Sequence, residues 1–214
     1  MDLVLQNLDY LLEGALLTLN LTVVSMFFGL IIGLFVAVVR LKASKPFQLI
    51  AQFYVSIIRG TPIIVQVFII YFGLPDYGIN LGPITSAYIA LSINVGAYLS
   101  ETFRGAIMSV PKGQWEAAAS LGLSPWHVLR RIVLPQAARI AIPPMGNTFI
   151  GMLKETSLVS FVTAVELFRA AQILIAQYYV AMPFYLAIAI MYWVMSTGFS
   201  AILHRIEKRL AKAY

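Results

Sequence analysis

The 214 residues are 60% hydrophobic and only 11% charged, with a mean hydropathy of +0.85; soluble domains run at roughly 45–50% apolar and about 25% charged. Carried in long apolar runs, that balance excludes the soluble class and indicates an all-α integral membrane protein. With no cysteine and only His127 and His204 for imidazole, disulfide frameworks, thiolate sites and a Cys nucleophile are excluded, no metal site is expected, and the formal charge of +6 must be explained by where it falls.

The first span is expected over 11–39, ending at Arg40, Lys42 and Lys45. Asp2, Asp9 and Glu13 stand where a secretory leader would be basic, so this segment is expected to be retained as a helix. Gly29 and Gly33 form a small-xxx-small pair that lets a second helix approach. The second stretch, 50–74, is broken at Arg59-Gly60-Thr61-Pro62, and proline suits the first turn of a restarted helix. The part before Arg59 is expected to lie along the interface or to give part of the crossing. A third span covers 84–103 and ends near Glu101 and Arg104, which at i,i+3 spacing can pair. The fourth, 138–160, is expected to be interrupted at Pro143-Pro144. An amphipathic segment carrying Glu166 and Arg169 follows, and the last span covers 183–203.

Thirteen of the 15 Lys/Arg residues fall after spans one, three and five, a pattern that places those segments in the cytoplasm. Residues 1–214 are thus expected to form one domain of five transmembrane helices, N-terminus outside and C-terminus cytoplasmic. The net charge then follows from topology, and no nucleic-acid partner is implied.

The longest cytoplasmic loop, 112–135, predicts a short helix from Glu116, a left-handed stop at Gly122 and a second helix capped by Ser124 with Pro125 in its first turn. Glu116-Ala117-Ala118, Gly122, Ile132, Leu134 and Pro135 resemble the EAA loop of permease subunits of binding-protein-dependent ABC importers. Arg59-Gly60-Thr61-Pro62, Gly96-Ala97-Tyr98 and Lys154-Glu155-Thr156-Ser157-Leu158 are similar to the polar amino-acid branch, with Glu155 where Asp is common. Lys112 to Glu116 and Leu134 to Arg139 are most similar to cystine permeases.

The resemblance implies a type I ABC importer permease fold in the bacterial inner membrane, with Glu116, Ala117, Ala118, Gly122 and Pro135 on a coupling helix. It implies as partners a cytoplasmic ATPase dimer that binds ATP and Mg, a second permease subunit (a homodimer is favoured), an extracytoplasmic solute-binding protein and a polar amino acid. The chain has no Gly-x4-Gly-Lys-Ser/Thr loop and is expected to carry no cofactor and no enzymatic activity of its own.

Proline-broken backbone at membrane depth survives where protein or a water-filled cavity satisfies its polar groups. The expected pathway residues are accordingly Thr61, Asn94, Tyr98, Asn147, Lys154, Glu155, Thr156 and Ser157. Adjacent Lys154 and Glu155 offer both signs to a zwitterion, or else brace the cavity by pairing with other helices. Asn94 reads equally as ligand or as packing glue. A membrane enzyme would need Ser-His, paired acids or metal ligands converging at depth, and a secondary carrier often shows duplicated halves; neither pattern is visible.

Overall fold

The computed structural model describes residues 2–211, so Lys212, one of the thirteen basic residues counted above, lies outside the described residues. A short α1 (Asp2–Gln6) leads into α2 (Leu8–Lys42), α3 (Lys45–Gly60) and α4 (Ile63–Phe68). One π turn (Ile69–Gly73) and one 3₁₀ turn (Leu74–Tyr77) extend α4 to Gly78, which closes it in the left-handed region at φ 79°. Then come α5 (Pro83–Met108), α6 (Lys112–Ser120) and α7 (Pro125–Val128). A π turn (Leu129–Val133) joins α7 to α8 (Leu134–Glu155), which continues as a 3₁₀ segment to Val162. The chain ends with α9 (Leu167–Tyr178) and α10 (Met182–Ala211).

Each stretch expected to span is helical, with differences where backbone chemistry competes. The α3 and α4 axes meet at 107°, and Pro62 caps α4 instead of entering its first turn. Pro143 and Pro144, expected to interrupt the fourth span, lie inside an unbroken α8. The N–H groups they lack would have bonded the carbonyls of Arg139 and Ile140, so the helix loses local bonds without ending. By length and apolarity α2 and α10 each suffice to cross a bilayer, and two bent pairs, α3 with α4 and α8 with α9, raise the number to four.

The central helix is α5, which packs against α2, α3, α4 and α8 and carries Ser86, Ser92, Asn94 and Ser100 inward. Its closest partner is α2, and the glycines explain why. A Cβ on Gly33 would stand 2.8 Å from Leu99 Cβ and 3.1 Å from the Gly96 carbonyl, and one on Gly96 would stand 2.7 Å from Ile32 Cγ2. The small-residue stripe is therefore used within the subunit. Gly33→Val should cost about 1–3 kcal/mol by overpacking, read as a lower thermal midpoint in detergent; an unchanged midpoint would contradict this packing.

Where α9 begins, the buried Glu166 carboxylate accepts bonds from the Phe168 and Arg169 N–H groups (2.9 Å each), the Tyr192 hydroxyl (2.8 Å) and Thr18 Oγ1 (3.4 Å). Thr18 Oγ1 in turn accepts from Leu167 N–H at 3.2 Å. One side chain thus ties α2, α9 and α10 together. The segment reads as amphipathic in sequence, yet its acid points into the protein.

Candidate functional site

Proline at 62 and glycine at 60 stop α3 from continuing, and the turn between them needs a partner for its exposed carbonyls. Gln66 supplies it. From the first turns of α4 its Nε2 donates to the Ile58 and Thr61 carbonyls (2.8 and 3.2 Å) and to Thr61 Oγ1 (3.0 Å), while its Oε1 accepts from Asn94 Nδ2 at 3.0 Å. The bend is thereby fastened to α5. Gln66 was not singled out in the sequence, although a lone amide in an otherwise apolar stretch is the signal that could have found it.

Beside this bend lies a cavity of about 150 Å³ between α4, α5 and α8. Asn94 and Tyr98 line it from α5, Thr148, Gly151 and Glu155 from α8, and Ile63 with Leu91, Val95 and Met152 supply apolar wall. Three expected pathway residues, Asn94, Tyr98 and Glu155, therefore meet in one space although they come from two separate helices. Asn94 both lines the cavity and donates to Gln66, so the packing reading and the pathway reading do not exclude one another. The Arg59 guanidinium carbon stands 5.2 Å from the Tyr98 ring centroid, near enough for cation–π attraction.

The other expected residues are not gathered there. Lys154 and Ser157 line a different hollow of about 360 Å³ with Phe168, Tyr185 and Tyr192. Successive helical side chains point about 100° apart, so neighbours in sequence cannot share a face. Thr156 is fully buried and donates to the Leu153 carbonyl at 2.8 Å. Thr61 is exposed at the bend and donates to the Ile57 carbonyl at 2.9 Å; Asn147 is exposed on α8 outside the cavity wall.

Below the cavity an ionic cluster joins α2 to α5. Glu101 Oε2 accepts from Arg104 Nε and Nη2 at 3.1 and 2.8 Å, the pairing expected from i,i+3 spacing, and Glu101 Oε1 also accepts from Arg40. That second arginine is 61 positions away and invisible to local spacing.

The 112–135 segment forms two helices on the same end of the bundle as Arg40 and Arg104. Gly122 has φ 74°, as its left-handed stop requires. Ser124 caps α7, its Oγ accepting from His127 N–H at 3.5 Å and bonding the His127 ring at 2.8 Å. Glu116, Ala117, Gly122 and Pro135 are exposed, whereas Ala118 is buried against Val110, Val128 and Val133. The motif therefore divides: Ala118 holds α6 to the bundle and the others face outward. A groove of about 310 Å³ runs between α6 and α7 along Trp115, Glu116, Ala119, Leu123 and Pro125.

The family described as binding-protein-dependent transport system inner membrane component matches residues 29–212, most of the chain and the whole of this cavity and loop. The chain belongs to that family. This inner membrane component is a permease subunit and not the ATPase, and permeases of its family carry no cofactor. It is 44% identical to the L-cystine transport system permease protein TcyB of Bacillus subtilis, over 98% of this chain and 90% of that one. It is 40% identical to the glutamine transport system permease protein GlnP of Escherichia coli, over 94% and 92%. Among solved structures, an amino acid ABC transporter crystallised with histidines superposes with a TM-score of 0.93 at 38% identity, covering 96% of each chain.

Proposed function

We propose that this permease subunit moves a polar amino acid, cystine first and glutamine next, through the cavity between α4, α5 and α8. The observation that carries this reading is the convergence of Asn94, Tyr98 and Glu155 on one cavity beside the Gln66-fastened bend. Polar groups at that depth are costly unless they serve a pathway or one another. The relatives named for cystine and for glutamine support the solute class.

In this reading the chain crosses the membrane five times as a single unit over 1–214, by α2, the bent α3–α4 pair, α5, α8 and α10. Its N-terminus is outside, and the basic residues hold 112–135 in the cytoplasm. Glu116, Ala117, Gly122 and Pro135 face a separate ATPase dimer, while Ala118 holds α6 to the bundle. A second identical subunit and an extracytoplasmic binding protein complete the importer. ATP binding closes the ATPases, draws the loops inward and opens the cavity outward; hydrolysis reverses it.

The test is uptake by the reconstituted complex with its ATPase and binding protein against cystine, glutamine, histidine and arginine. Cystine is expected to accumulate most, only with ATP. A Cβ added at Gly151 meets nothing within 4 Å, so the backbone accepts a side chain there, and the bulk of Gly151→Trp in the cavity should lower uptake about tenfold or more. Accumulation without ATP, or normal uptake by Gly151→Trp, would sink the reading.

A further inference from the structure

Where α2, α5 and α8 converge near one end of the bundle, a groove of about 240 Å³ lies between them. Leu34 lines it from α2, Phe103 and Ile107 from α5, and Leu134, Ala138 and Ile142 from α8; every side chain of its wall is apolar. Leu34 and Leu134 remain 50% and 38% exposed, so the groove opens outward instead of being sealed into the core. It occupies the last turns of α5 and the first turns of α8, the end that also carries Arg40, Arg104 and the 112–135 segment.

The α8 face that lines the groove continues into the π turn before it. Arg130 stands four residues ahead of Leu134, one turn of this wider helix, with Arg131 beside it. Both arginines are exposed, and among the described residues neither makes an ion pair. No acid lies three or four residues from either one along the chain. Of the nine acidic residues in the sequence, only Glu101, Glu116 and Glu207 stand at this end. Glu101 is held by Arg40 and Arg104, and Glu207 faces His204 at 3.7 Å. A second copy of the chain thus has only Glu116 to offer the arginine pair, and Glu116 lies in the groove between α6 and α7. The bilayer, in contrast, supplies an acyl chain and an anionic phosphate in one molecule.

We propose that this groove seats an anionic phospholipid of the cytoplasmic leaflet, with an acyl chain between α2, α5 and α8 and the phosphate on Arg130 and Arg131. The proposal rests on the cytoplasmic placement of 112–135 and on no property of the cavity between α4, α5 and α8. Lipid tails are as apolar as the wall, so the groove gains packing and not hydrophobic transfer, and it fixes only where the chain lies. Choice among lipids falls to the arginines. Their forked N–H groups match phosphate oxygens, and a headgroup of net negative charge keeps an attraction that a zwitterionic one cancels. The lipid is thereby a ligand of the π turn that joins α7 to α8.

The test exchanges the permease–ATPase complex from nanodiscs of equal phosphatidylglycerol and phosphatidylcholine into detergent and counts retained lipid by native mass spectrometry. One phosphatidylglycerol per permease chain is expected, preferred to phosphatidylcholine about fivefold for each arginine and about twentyfold for the pair. Arg130→Gln with Arg131→Gln should bring the preference close to one. Lys42→Gln with Lys45→Gln removes the same charge from the α2–α3 turn and should leave the preference intact. Ala138→Trp fills the groove and should abolish retention of both lipids. Should the double arginine variant fail to assemble, Arg131→Gln alone decides, with an expected loss of about fivefold. A preference that survives loss of both arginines overturns the proposal. So does one that falls equally in the Lys42 and Lys45 variant, which would mark diffuse attraction to a basic surface. A wild-type complex that retains no lipid, and whose two permease chains separate with Ala138→Trp, would show the groove covered by a second copy and overturn it as well. Because the readout is retained lipid, transport of a solute other than cystine, or normal uptake by Gly151→Trp, leaves this result untouched.

Discussion

Gly122→Val, combined with Glu116→Lys, is expected to lower ATP-driven uptake about tenfold or more while the permease still inserts. Gly122 holds φ 74°, a region that costs an L-residue about 1–2 kcal/mol and a β-branched one more. The chain would relieve that strain by unwinding the end of α6, which moves Glu116 and Ala117 relative to α7. Lysine at 116 then reverses the charge on the groove shared with Trp115 and Leu123. The measurements are uptake into proteoliposomes and co-purification of the ATPase. Normal values of both in the double variant would remove 112–135 from the coupling pathway.

The second large effect is expected at Glu166. Alanine there leaves two backbone N–H groups and the Tyr192 and Thr18 hydroxyls without their acceptor in a buried place. Each unsatisfied buried group costs about 1–3 kcal/mol, and partial relaxation brings the expected total to about 3–5 kcal/mol. The thermal midpoint should fall by roughly 10 °C. Glu166→Gln keeps one acceptor oxygen and should lose about half as much. A Glu166→Ala protein as stable as wild type would show that the carboxylate holds nothing together.

Features set by a short stretch of chain were legible in the sequence, and features set by long-range meeting were not. Gly122, Ser124 and Pro125 declare their backbone geometry within a few residues, and α6 and α7 form as their chemistry dictates. Glu101 with Arg104 is equally local, whereas Arg40 joins them only because α2 lies along α5. Asn94, Tyr98 and Glu155 are readable as polar residues at depth, but their shared cavity exists only once α5 and α8 have packed. Lys154 shows the reverse: it adjoins Glu155 in sequence, and helical rotation turns it onto a different hollow. Pro143 and Pro144 read in sequence as an interruption of the fourth span. Each removes one donor, and α8 keeps enough bonds and packing on α5 and α10 to run through them.

That unbroken α8 has a mechanical consequence. From Pro125 through the π turn to Glu155 the chain is one rod of about 45 Å, with α6 and the Gly122 turn at its foot and the acidic cavity residue at its tip. Its two weak points are the π turn, where the bonding register slips, and the proline pair, where donors are missing. Glu155 lies about 18 Å beyond the prolines. A tilt of about 5° there swings its carboxylate through about 1.5 Å, a distance over which a hydrogen bond is made or lost. Such a tilt would make the rod a lever arm with its fulcrum at two adjacent residues.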